Sequence, residues 1–361
     1  SGALTCLQPG ATIGIIGGGQ LGRMLTLAAA RLGLHCRVYS DARDNPAGDV
    51  AMALTEGHYS DLAKLNAFAA AVDVVTYETE NIPVSTLRHL ETLKSVYPPL
   101  RAIEIAQDRL HEKQFINELG VPVAPFEAVA SEAELAAAAH QLGTPAVLKT
   151  RCFGYDGKGQ KRLHELDDAR DLDESMGGVP RLLERLVDFD SELSVIGTRA
   201  RDGGKVIYPM TANVHRNGIL HRSEQSSVDQ ALARQATRHF SALTDALGYV
   251  GTLAIEFFVS GNLLLGNEFA PRVHNSGHWT QNGMPHGQFE NHMRAVAGLP
   301  LGGGAPVGVS GMINLIGALP DVTPMLAMAN AYLHDYGKTP RPGRKLGHVN
   351  VVARSTTELN R

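Results

Sequence analysis

The chain has 361 residues, 43% hydrophobic and 19% charged, which is typical of a soluble globular protein with two or three domains. A formal net charge of −4 gives no overall attraction to nucleic acid or to an anionic membrane. No apolar run approaches the ~20 residues needed to cross a bilayer, and the sequence as given opens with no signal segment. The cysteines Cys6, Cys36 and Cys152 form no close-spaced pair, which argues against disulfides and favours the cytoplasm.

The first hundred residues alternate between strand and helix patterns. Strands are predicted over 12–16, 37–39, 72–77 and 95–97, and helices over 20–32 and 62–71. This alternation is typical of βαβ units, whose parallel sheet is covered by helices on both faces. The turn after the first strand contains Gly17, Gly19 and Gly22 in a G-x-G-x-x-G pattern, with Asp41 further on. Taken alone, this pattern permits an NAD-dependent enzyme.

The pattern changes after residue 99. A helix is predicted over 101–119, and Ser131 with Glu134 forms a capping box that opens a second helix. A strand over 146–150 precedes a glycine-rich loop, and four strands are predicted between 182 and 222. A long helix over 229–247 precedes two strands, 251–259 and 263–269, whose Ser-Gly-Asn turn is typical of a hairpin. The tail, 310–361, has the pattern of short strands and loops.

The glycine-rich loop, GYDGKGQ at 154–160, carries three glycines in six positions. Glycine lets the backbone fold closely around a ligand, so that N–H groups reach phosphate oxygens. Lys149 ends the preceding strand, where its ammonium group could reach the same phosphate. The loop lacks the Walker arrangement, and a mobile hairpin loop explains this segment equally well when it is taken alone.

Glu256 and Glu268 lie on the two strands of the hairpin. Their midpoint is position 262, inside the turn, so we expect the two side chains to lie opposite each other. Cross-strand neighbours have Cβ atoms about 4.5–5.5 Å apart, and two carboxylates that close repel unless a cation separates them. Carboxylate oxygens suit Mg²⁺, and Asn267 adds a neutral oxygen. The alternative is a solvated acidic pair on an edge strand, but the apolar neighbours Ala254 and Phe258 favour the metal.

A strand segment at 184–187 precedes a turn, and Glu192 follows it. The segment could offer backbone N–H and C=O groups to an adenine edge, and Glu192 could accept hydrogen bonds from ribose hydroxyls. Taken alone, these residues are better explained as a polar strand.

Together these segments resemble the ATP-grasp superfamily, in its purine-pathway branch. The resemblance is carried in chain order by GIIGGGQLGRM (14–24), YETEN (77–81), GYDGKGQ (154–160), ELSV (192–195) and NEFAPRVHNSGH (267–278). The fold that it implies combines α/β and α+β parts. Its four units are an N-terminal Rossmann-like domain with a parallel sheet (1–100), linker helices and a small lid domain (101–182), a central α+β ATP-grasp domain (183–300), and a small C-terminal β subdomain (301–361).

The resemblance implies an ATP-dependent carbon–nitrogen ligase. Within this branch the motifs are most similar to carboxylases that act on the exocyclic amine of 5-aminoimidazole ribonucleotide in purine (IMP) biosynthesis, with ATP and bicarbonate. In that reaction bicarbonate is phosphorylated to carboxyphosphate, which delivers CO₂ to the amine and leaves ADP and phosphate. The resemblance also implies two Mg²⁺ ions and a cytoplasmic homodimer whose partners are small molecules, without nucleic acid or membrane.

The resemblance also assigns roles to individual residues. ATP contacts are expected from Arg109, Lys149, Gly154, Tyr155, Asp156, Gly157, Lys158, Gly159, Gln160, Glu184, Arg185, Leu186, Val187, Glu192, His215, Asn267 and Glu268. Contacts with the acceptor substrate are expected from Gly19, Gln20, Leu21, Glu78, Tyr155, Asn275, Ser276, His278, Lys338, Arg344 and Lys345. Catalytic roles fall to Asp156, Arg272, His274 and Lys345, and the metal ligands are Glu256 and Glu268.

Local chemistry supports the acceptor site. The helix that begins at Gln20 offers its N-terminus to a phosphate, and Glu78 ends a parallel strand at the edge where ligands of such sheets bind. Lys338, Arg344 and Lys345 belong to a basic cluster in the tail. A solvated basic loop or a nucleic-acid patch is the alternative for this cluster, but the low net charge elsewhere favours the substrate phosphate.

Three other functions compete with this interpretation. A formate-dependent glycinamide ribonucleotide transformylase would share the ATP site, but Gln20 and the HNSGH loop at 274–278 favour the carboxylating enzyme. An NAD-dependent oxidoreductase would leave the two glutamates and the GYDGKGQ loop without a purpose. A non-catalytic ATP-binding module would bind nucleotide without turnover.

Overall fold

The computed structural model describes residues 6–152, 159–168 and 179–361. The N-terminal part is a parallel sheet in the order β3-β2-β1-β4. Its strands are β1 (Thr12–Ile16), β2 (His35–Ser40), β3 (Ala53–Glu56) and β4 (Val74–Tyr77), and its helices are Gln20–Arg31, Leu62–Ala70 and Val84–Glu91. Both faces of the sheet are buried: Ile13 and Ile15 pack under one helical layer, and Ile16 packs against Leu65 and Phe68 in the other. The predicted Rossmann-like α/β domain is confirmed.

Two local predictions in this region were incomplete. The segment 95–97 forms a single bridge, between Val96 and Val75, rather than a strand. The predicted helix over 101–119 consists of two helices, Leu100–Ala106 and Arg109–Glu118. The break occurs because the Asp108 carboxylate accepts hydrogen bonds from the N–H groups of Leu110 and His111 and starts a new helix.

The next sheet is antiparallel and has the order β5-β8-β6-β7. Its strands are β5 (Phe126–Val129), β6 (Ala146–Thr150), β7 (Gln160–Leu163) and β8 (Arg181–Arg185), and the helix Glu132–Leu142 covers one face. The predicted capping box is present, but the glutamate accepts from the residue before the N-cap instead of from the N-cap itself. The Ser131 hydroxyl accepts a hydrogen bond from the Glu134 N–H, and the Glu134 carboxylate accepts one from the Ala130 N–H.

The largest sheet has the order β14-β13-β9-β11-β12-β15-β17-β16, with β10 added on β9. Its strands are β9 (Ser191–Arg199), β10 (Lys205–Ile207), β11 (Thr211–Arg216), β12 (Ile219–Gln225), β13 (Gly251–Ser260), β14 (Leu263–Ala270), β15 (Val309–Ile316), β16 (Ala331–Asp335) and β17 (Lys345–Ala353). The remaining helices are Gln230–Leu247, Thr280–Gly283, Gln288–Ala297, Thr323–Leu326 and Thr356–Leu359, with single 3-10 turns at Leu166–Asp168 and Asn275–Gly277.

The short strands of the tail extend this sheet. β15 pairs with β12, so segment 301–361 shares a sheet with the central segment. A segment this short buries little apolar surface alone, and pairing with an existing sheet edge satisfies its backbone. One face of this sheet is covered by the helix Gln230–Leu247, where Phe257 and Val195 pack against Phe240. None of the helices in the described part of the chain combines the length and apolar character needed to cross a membrane.

Candidate active site

Two cavities open on the face of the largest sheet that lies opposite the helix Gln230–Leu247. The larger has a volume of about 740 Å³ and the smaller about 500 Å³. Five residues line both: Gln160, His215, Gly218, Glu256 and Glu268. The two cavities therefore meet at the pair of glutamates for which the sequence predicts a metal site.

Glu256 and Glu268 are direct cross-strand partners. Burial and the facing Glu268 carboxylate raise the pKa of Glu256 well above its usual range. Burial alone would raise the pKa of Glu268 as well, but a hydrogen bond from Glu256 and the charges of Arg109 and Lys149 outweigh it and lower that pKa. The two carboxylates repel each other, and a divalent cation between them would remove that repulsion.

A bulge in β14 places Asn267 beside this pair. Phe257 pairs with Gly266, whereas Glu256 pairs with Glu268, so Asn267 is an extra residue in the ladder. A bulge re-aims side chains next to it, and both Asn267 and Glu268 line the smaller cavity. The oxygens of Glu256, Glu268 and Asn267 suit Mg²⁺, which takes few protein ligands when phosphates supply the rest. Within residues 6–152, 159–168 and 179–361, no cluster of three or more His, Cys, Asp or Glu forms a metal cage of its own.

The smaller cavity contains most of the residues predicted to bind ATP. Its lining includes Lys149, Gln160, Glu184, Arg185, Leu186, Val187, Glu192, His215, Asn267 and Glu268. Phe189 stacks on Phe258 there, with ring centroids 4.5 Å apart. Arg109 lines the larger cavity instead. Gly159 adopts φ 71° beside Gln160, and its carbonyl accepts a hydrogen bond from the Thr150 N–H.

The segment 184–187 has only part of its backbone available for a ligand. The Arg185 N–H donates to the Pro125 carbonyl, and the Leu186 N–H donates to the Pro145 carbonyl. Beyond the segment, the Glu192 carboxylate is held by His215, with 2.8 Å between Glu192 Oε2 and His215 Nδ1. Within the described part of the chain, the Val187 N–H donates no hydrogen bond, in contrast to those of Arg185 and Leu186. It is therefore available to a ligand.

Lys149 is held by a buried ion-pair cluster. Its Nζ lies 3.5 Å from Glu184 Oε1, and Lys113 Nζ lies 3.1 Å from Glu184 Oε2. Burial lowers the pKa of Lys149, although the adjacent Glu184 carboxylate acts in the opposite direction. The cluster places a lysine ammonium group at the edge of the smaller cavity, where it can meet an anion.

Arg272 and His274 border the larger cavity, together with Asn275 and Lys345. The Arg272 guanidinium donates to both carboxylate oxygens of Glu80. The Ser276 N–H donates to His274 Nδ1 over 3.1 Å, and His274 Nε2 lies 3.9 Å from Glu256 Oε1. Burial and the neighbouring Arg272 and Lys345 charges lower the pKa of His274 to about 3. The imidazole is therefore neutral.

The glycine turn that resembles a dinucleotide site surrounds a carboxylate of the protein itself. Glu78 Oε1 and Oε2 each accept a hydrogen bond of 3.0 Å, from the N–H groups of Gly19 and Gly22. A Cβ added at Gly17 would lie 2.6 Å from the Glu78 side chain. The glycines therefore make room for Glu78, which counts against an NAD pyrophosphate in the same place. Burial raises the pKa of Glu78 despite the two N–H donors.

The basic tail reaches this turn from the other side. Lys338 Nζ donates to Gln20 Oε1 over 3.1 Å, and Arg344 pairs with Asp44. Burial, with the nearby Arg344 charge, lowers the pKa of Lys338 to about 8. Lys345 instead lines the larger cavity. The basic cluster predicted in the tail is thus divided: Lys338 lies at the glycine turn, and Lys345 lies in the cavity that contains the glutamate pair.

The chain matches three family models in order. These are the ribonucleotide synthetase preATP-grasp domain over 10–107, the ATP-grasp domain over 114–289, and the phosphoribosylaminoimidazole carboxylase C-terminal domain over 310–361. The N5-carboxyaminoimidazole ribonucleotide synthase of Pseudomonas aeruginosa is 46% identical over 339 residues, which is 94% of each chain. The chain belongs to the N5-carboxyaminoimidazole ribonucleotide synthase family.

Solved structures of this family have the same fold. The N5-carboxyaminoimidazole ribonucleotide synthetase of Thermus thermophilus has a TM-score of 0.92 and 45% identity, covering 96% of this chain and 95% of that one. The Aspergillus clavatus enzyme, in complex with ADP and 5-aminoimidazole ribonucleotide, has a TM-score of 0.88 and 29% identity, with coverages of 97% and 96%. As a family member, the chain is an ATP-grasp ligase of the ATP-dependent carboxylation step in purine biosynthesis.

Some residues assigned from the synthase family lie elsewhere than expected. Ser276 and His278 were expected to contact the acceptor, but both are buried and neither lines the two cavities. His278 packs between Phe289 and His348, because the short turn Asn275–Gly277 directs its ring into the core. Gly19 was expected to offer its N–H to a phosphate, but that N–H is occupied by Glu78. The predictions for Gly154, Tyr155, Asp156, Gly157 and Lys158 lie outside the described residues.

Three charged residues at this synthase site, Glu80, Glu112 and Lys113, were not predicted from the sequence. Glu80 lies in the YETEN segment and holds Arg272, so its position after a parallel strand was an available signal. Glu112 lines the larger cavity and accepts a hydrogen bond from the Phe269 N–H, and Lys113 pairs with Glu184. Glu112 and Lys113 lie inside the helix Arg109–Glu118. Adjacent glutamate and lysine residues are common on solvent-facing helices, so the local sequence does not indicate that these two are buried at a site.

Proposed function

We propose that the chain uses ATP, Mg²⁺ and bicarbonate to carboxylate the exocyclic amine of 5-aminoimidazole ribonucleotide. ATP occupies the smaller cavity. The adenine ring lies beside Phe189, and the hydrogen-bonding edge of the adenine faces the backbone of the segment 184–187. The unbonded Val187 N–H supports this placement of the base. Glu192, fixed by His215, accepts hydrogen bonds from the ribose hydroxyls.

The triphosphate extends towards the junction of the two cavities. Lys149 and Arg109 supply positive charge there, and the backbone at Gly159 and Gln160 approaches from β7. Glu256 and Glu268 would hold the Mg²⁺ ions, which supply neutralisation of phosphate charge when they are bound. The raised pKa of Glu256 opposite Glu268 supports the assignment, because a cation in that position removes the repulsion between the carboxylates.

The acceptor nucleotide occupies the larger cavity and reaches the glycine turn. Lys338 and Arg344 attract its phosphate beside the N–H groups of Gln20 and Leu21. Each Glu78 oxygen can accept two hydrogen bonds and receives one from the glycine turn. The carboxylate can therefore also accept a hydrogen bond from a ribose hydroxyl. Asn275 and Lys345 line the cavity nearer to the glutamate pair, where the imidazole amine would lie.

The reaction requires an activated form of bicarbonate, because its carbon carries no good leaving group. Transfer of the γ-phosphoryl group gives carboxyphosphate and ADP. The C–O bond of carboxyphosphate then breaks to give CO₂ and phosphate. The amine nitrogen attacks CO₂ and loses a proton, for which Asp156 stays our predicted acceptor. Arg272 and His274 donate hydrogen bonds to the anionic intermediate and to the released phosphate.

One observation carries this proposal: the two cavities meet at a facing pair of carboxylates. The geometry fits a phosphoryl group that passes from one substrate to the other across the pair. A non-catalytic ATP-binding module has no use for the second cavity, and an NAD enzyme has no use for the pair. The cytoplasmic location and the homodimer stay predictions, for which fractionation and light scattering are the measurements.

The test is an ADP-release assay with two acceptors. With 5-aminoimidazole ribonucleotide, ADP release should depend on added bicarbonate and should be stoichiometric with the carbamate product. With glycinamide ribonucleotide and formate, release should stay at the background rate. Dependence on formate would favour the transformylase, and ATP binding without ADP release under either condition would favour the non-catalytic module.

A further inference from the structure

A line of buried side chains connects three strands of the largest sheet to His274. Ser223 on β12 contacts Asn213 on β11, and Asn213 contacts Ser194 on β9. Ser194 contacts Ser276, and Ser276 Oγ lies 2.7 Å from His274 Nδ1. The other three contacts are 2.8, 3.0 and 2.9 Å long in that order. The three serines are fully buried and Asn213 is 8% exposed.

The donors in this line all point the same way. The Ser223 hydroxyl donates to Asn213 Oδ1, the Asn213 amide donates to Ser194 Oγ, and the Ser194 hydroxyl donates to Ser276 Oγ. Ser276 Oγ therefore already accepts a proton, and its own hydroxyl is left to donate to His274 Nδ1. The Ser276 N–H also points at Nδ1. Both groups require Nδ1 to be an acceptor, so the ring proton of a neutral imidazole lies on Nε2.

We propose that this hydrogen-bond relay is a positioning device for the carboxylation step. It fixes His274 in one ring orientation and one tautomer, with Nε2–H directed into the larger cavity beside Glu256. There Nε2–H can donate to an anionic oxygen of the activated bicarbonate. The serines are positioning residues rather than catalytic ones, because they contact His274, Asn213 or one another and line neither cavity. The inference rests on the proposed function only for the identity of that anion.

Packing alone does not account for the line. None of the three serines lines either cavity, whereas Asn213 lines the smaller one. A loss of turnover that leaves the KM for ATP unchanged is therefore an effect through His274 and not through Asn213. A buried hydroxyl pair elsewhere on the same strand provides the comparison: Thr198 Oγ1 lies 2.8 Å from Thr252 Oγ1, with both residues fully buried. That pair reaches the Gln288 carbonyl. The Gln288 side chain holds the backbone N–H and C=O of His274 but makes no hydrogen bond with its ring, so the pair lies outside the line that ends at Nδ1. Aligned hydrogen bonds also strengthen one another in a low-dielectric interior.

The test compares three relay variants with one control. Ser276→Ala, Ser194→Ala and Ser223→Ala each remove one hydroxyl at increasing distance from His274, and Thr198→Val removes a buried hydroxyl outside the relay. We expect kcat to fall about tenfold for Ser276→Ala, the effect of one lost hydrogen bond in the transition state. Smaller losses should follow for Ser194→Ala and then Ser223→Ala. The KM for ATP should stay unchanged in all four.

A spectroscopic measurement separates positioning from general destabilisation. In ¹⁵N-labelled protein without substrates, the His274 nitrogen signals are identified by their absence in His274→Gln. We expect wild-type Nδ1 to show the shift of a hydrogen-bonded acceptor nitrogen and Nε2 that of a protonated one. Ser276→Ala should move the Nδ1 signal towards that of a free acceptor, Ser194→Ala should move it less, and Thr198→Val should leave it in place.

Two results would overturn the relay. One is a kcat loss in Thr198→Val equal to that in Ser194→Ala, which would indicate a general effect of buried hydroxyls. The other is an Nδ1 signal that none of the serine variants moves. Because the nitrogen measurement needs no turnover, it distinguishes failure of the relay from failure of the proposed function, which would appear as absent ADP release in the wild type.

Discussion

Two acidic sites of this molecule hold their carboxylates in opposite circumstances. At the glycine turn, Glu78 accepts hydrogen bonds from the N–H groups of Gly19 and Gly22, with Lys338 and Arg272 charges nearby. On the hairpin, Glu256 and Glu268 face each other, and burial together with repulsion raises the pKa of Glu256. The protein supplies both N–H donors and positive charge to the first carboxylate, whereas the facing pair at the second site needs a cation from solution.

This contrast shows why sequence patterns mislead at one site and succeed at the other. A glycine-rich turn indicates that something anionic lies close to the backbone, but here that anion is a side chain. A pair of acids at matching hairpin positions indicates unsatisfied charge, which the fold leaves for a ligand. A facing pair of acids therefore indicates a cation site, because the two carboxylates repel each other until a cation lies between them.

The strongest test of the contrast is Glu268→Gln. Loss of one carboxylate from the metal pair should lower the rate of ADP release on the order of 10²–10³-fold, because the transferred phosphoryl charge is no longer neutralised. The thermal midpoint should not fall, since the amide removes the repulsion between the two facing carboxylates. The matched control is Glu224→Gln, on the same sheet beside Arg222 and outside both cavities, which should keep normal turnover. Normal turnover in Glu268→Gln would contradict the metal assignment.

The intermediate test concerns the charge of Lys338 near the glycine turn. Its pKa is lowered to about 8, so the ammonium form that attracts phosphate is present below this pH and is lost as the pH rises through it. We expect kcat/KM for 5-aminoimidazole ribonucleotide to fall up to about tenfold between pH 7 and pH 9. Lys338→Arg keeps its charge throughout this range and should remove the fall. A parallel decline in both proteins would show that another group titrates.

The smallest expected effect is on stability, from Glu78→Gln. An amide cannot accept from both the Gly19 and Gly22 N–H groups, so the free energy of unfolding should decrease by about 1–2 kcal/mol in urea denaturation. KM for the acceptor should rise several-fold, since the turn that receives its phosphate loosens. Asp61→Asn is the control, because Asp61 accepts one N–H at another helix start and asparagine caps equally well. Equal stability of Glu78→Gln and wild type would refute the structural role.

Local sequence patterns predicted the elements that carry the site. The strand Thr12–Ile16, the helix Gln230–Leu247 and the hairpin appear within one or two residues of their predicted bounds, because period and turn residues are local properties. Arg272 illustrates the limit. Its sequence position indicates a phosphate ligand, but the structure pairs it with Glu80, 192 residues away in sequence. Such partners are chosen by tertiary packing, which no local pattern contains.

The pairing of Glu256 with Glu268 was predicted correctly from an argument that was incomplete. The midpoint at 262 assumes a regular ladder, but the ladder next to the turn pairs Ser260 with Leu263 and Phe257 with Gly266. Continued without interruption, that ladder would bring Glu256 opposite Asn267. The bulge supplies the missing residue, and bulges have no reliable sequence signal in a strand of this composition.

The extra residue in β14 also determines which chemistry the hairpin can perform. Deletion of one residue between Leu263 and Asn267 would remove the bulge, so that Glu256 would still face Glu268 but Asn267 would pair with Phe257. Side chains alternate along a regular strand, so Asn267 would then point to the opposite face from Glu268. The glutamate pair would lose the neutral oxygen beside it. Insertions and deletions in this strand should therefore be rarer among active enzymes than substitutions, even where both glutamates are kept.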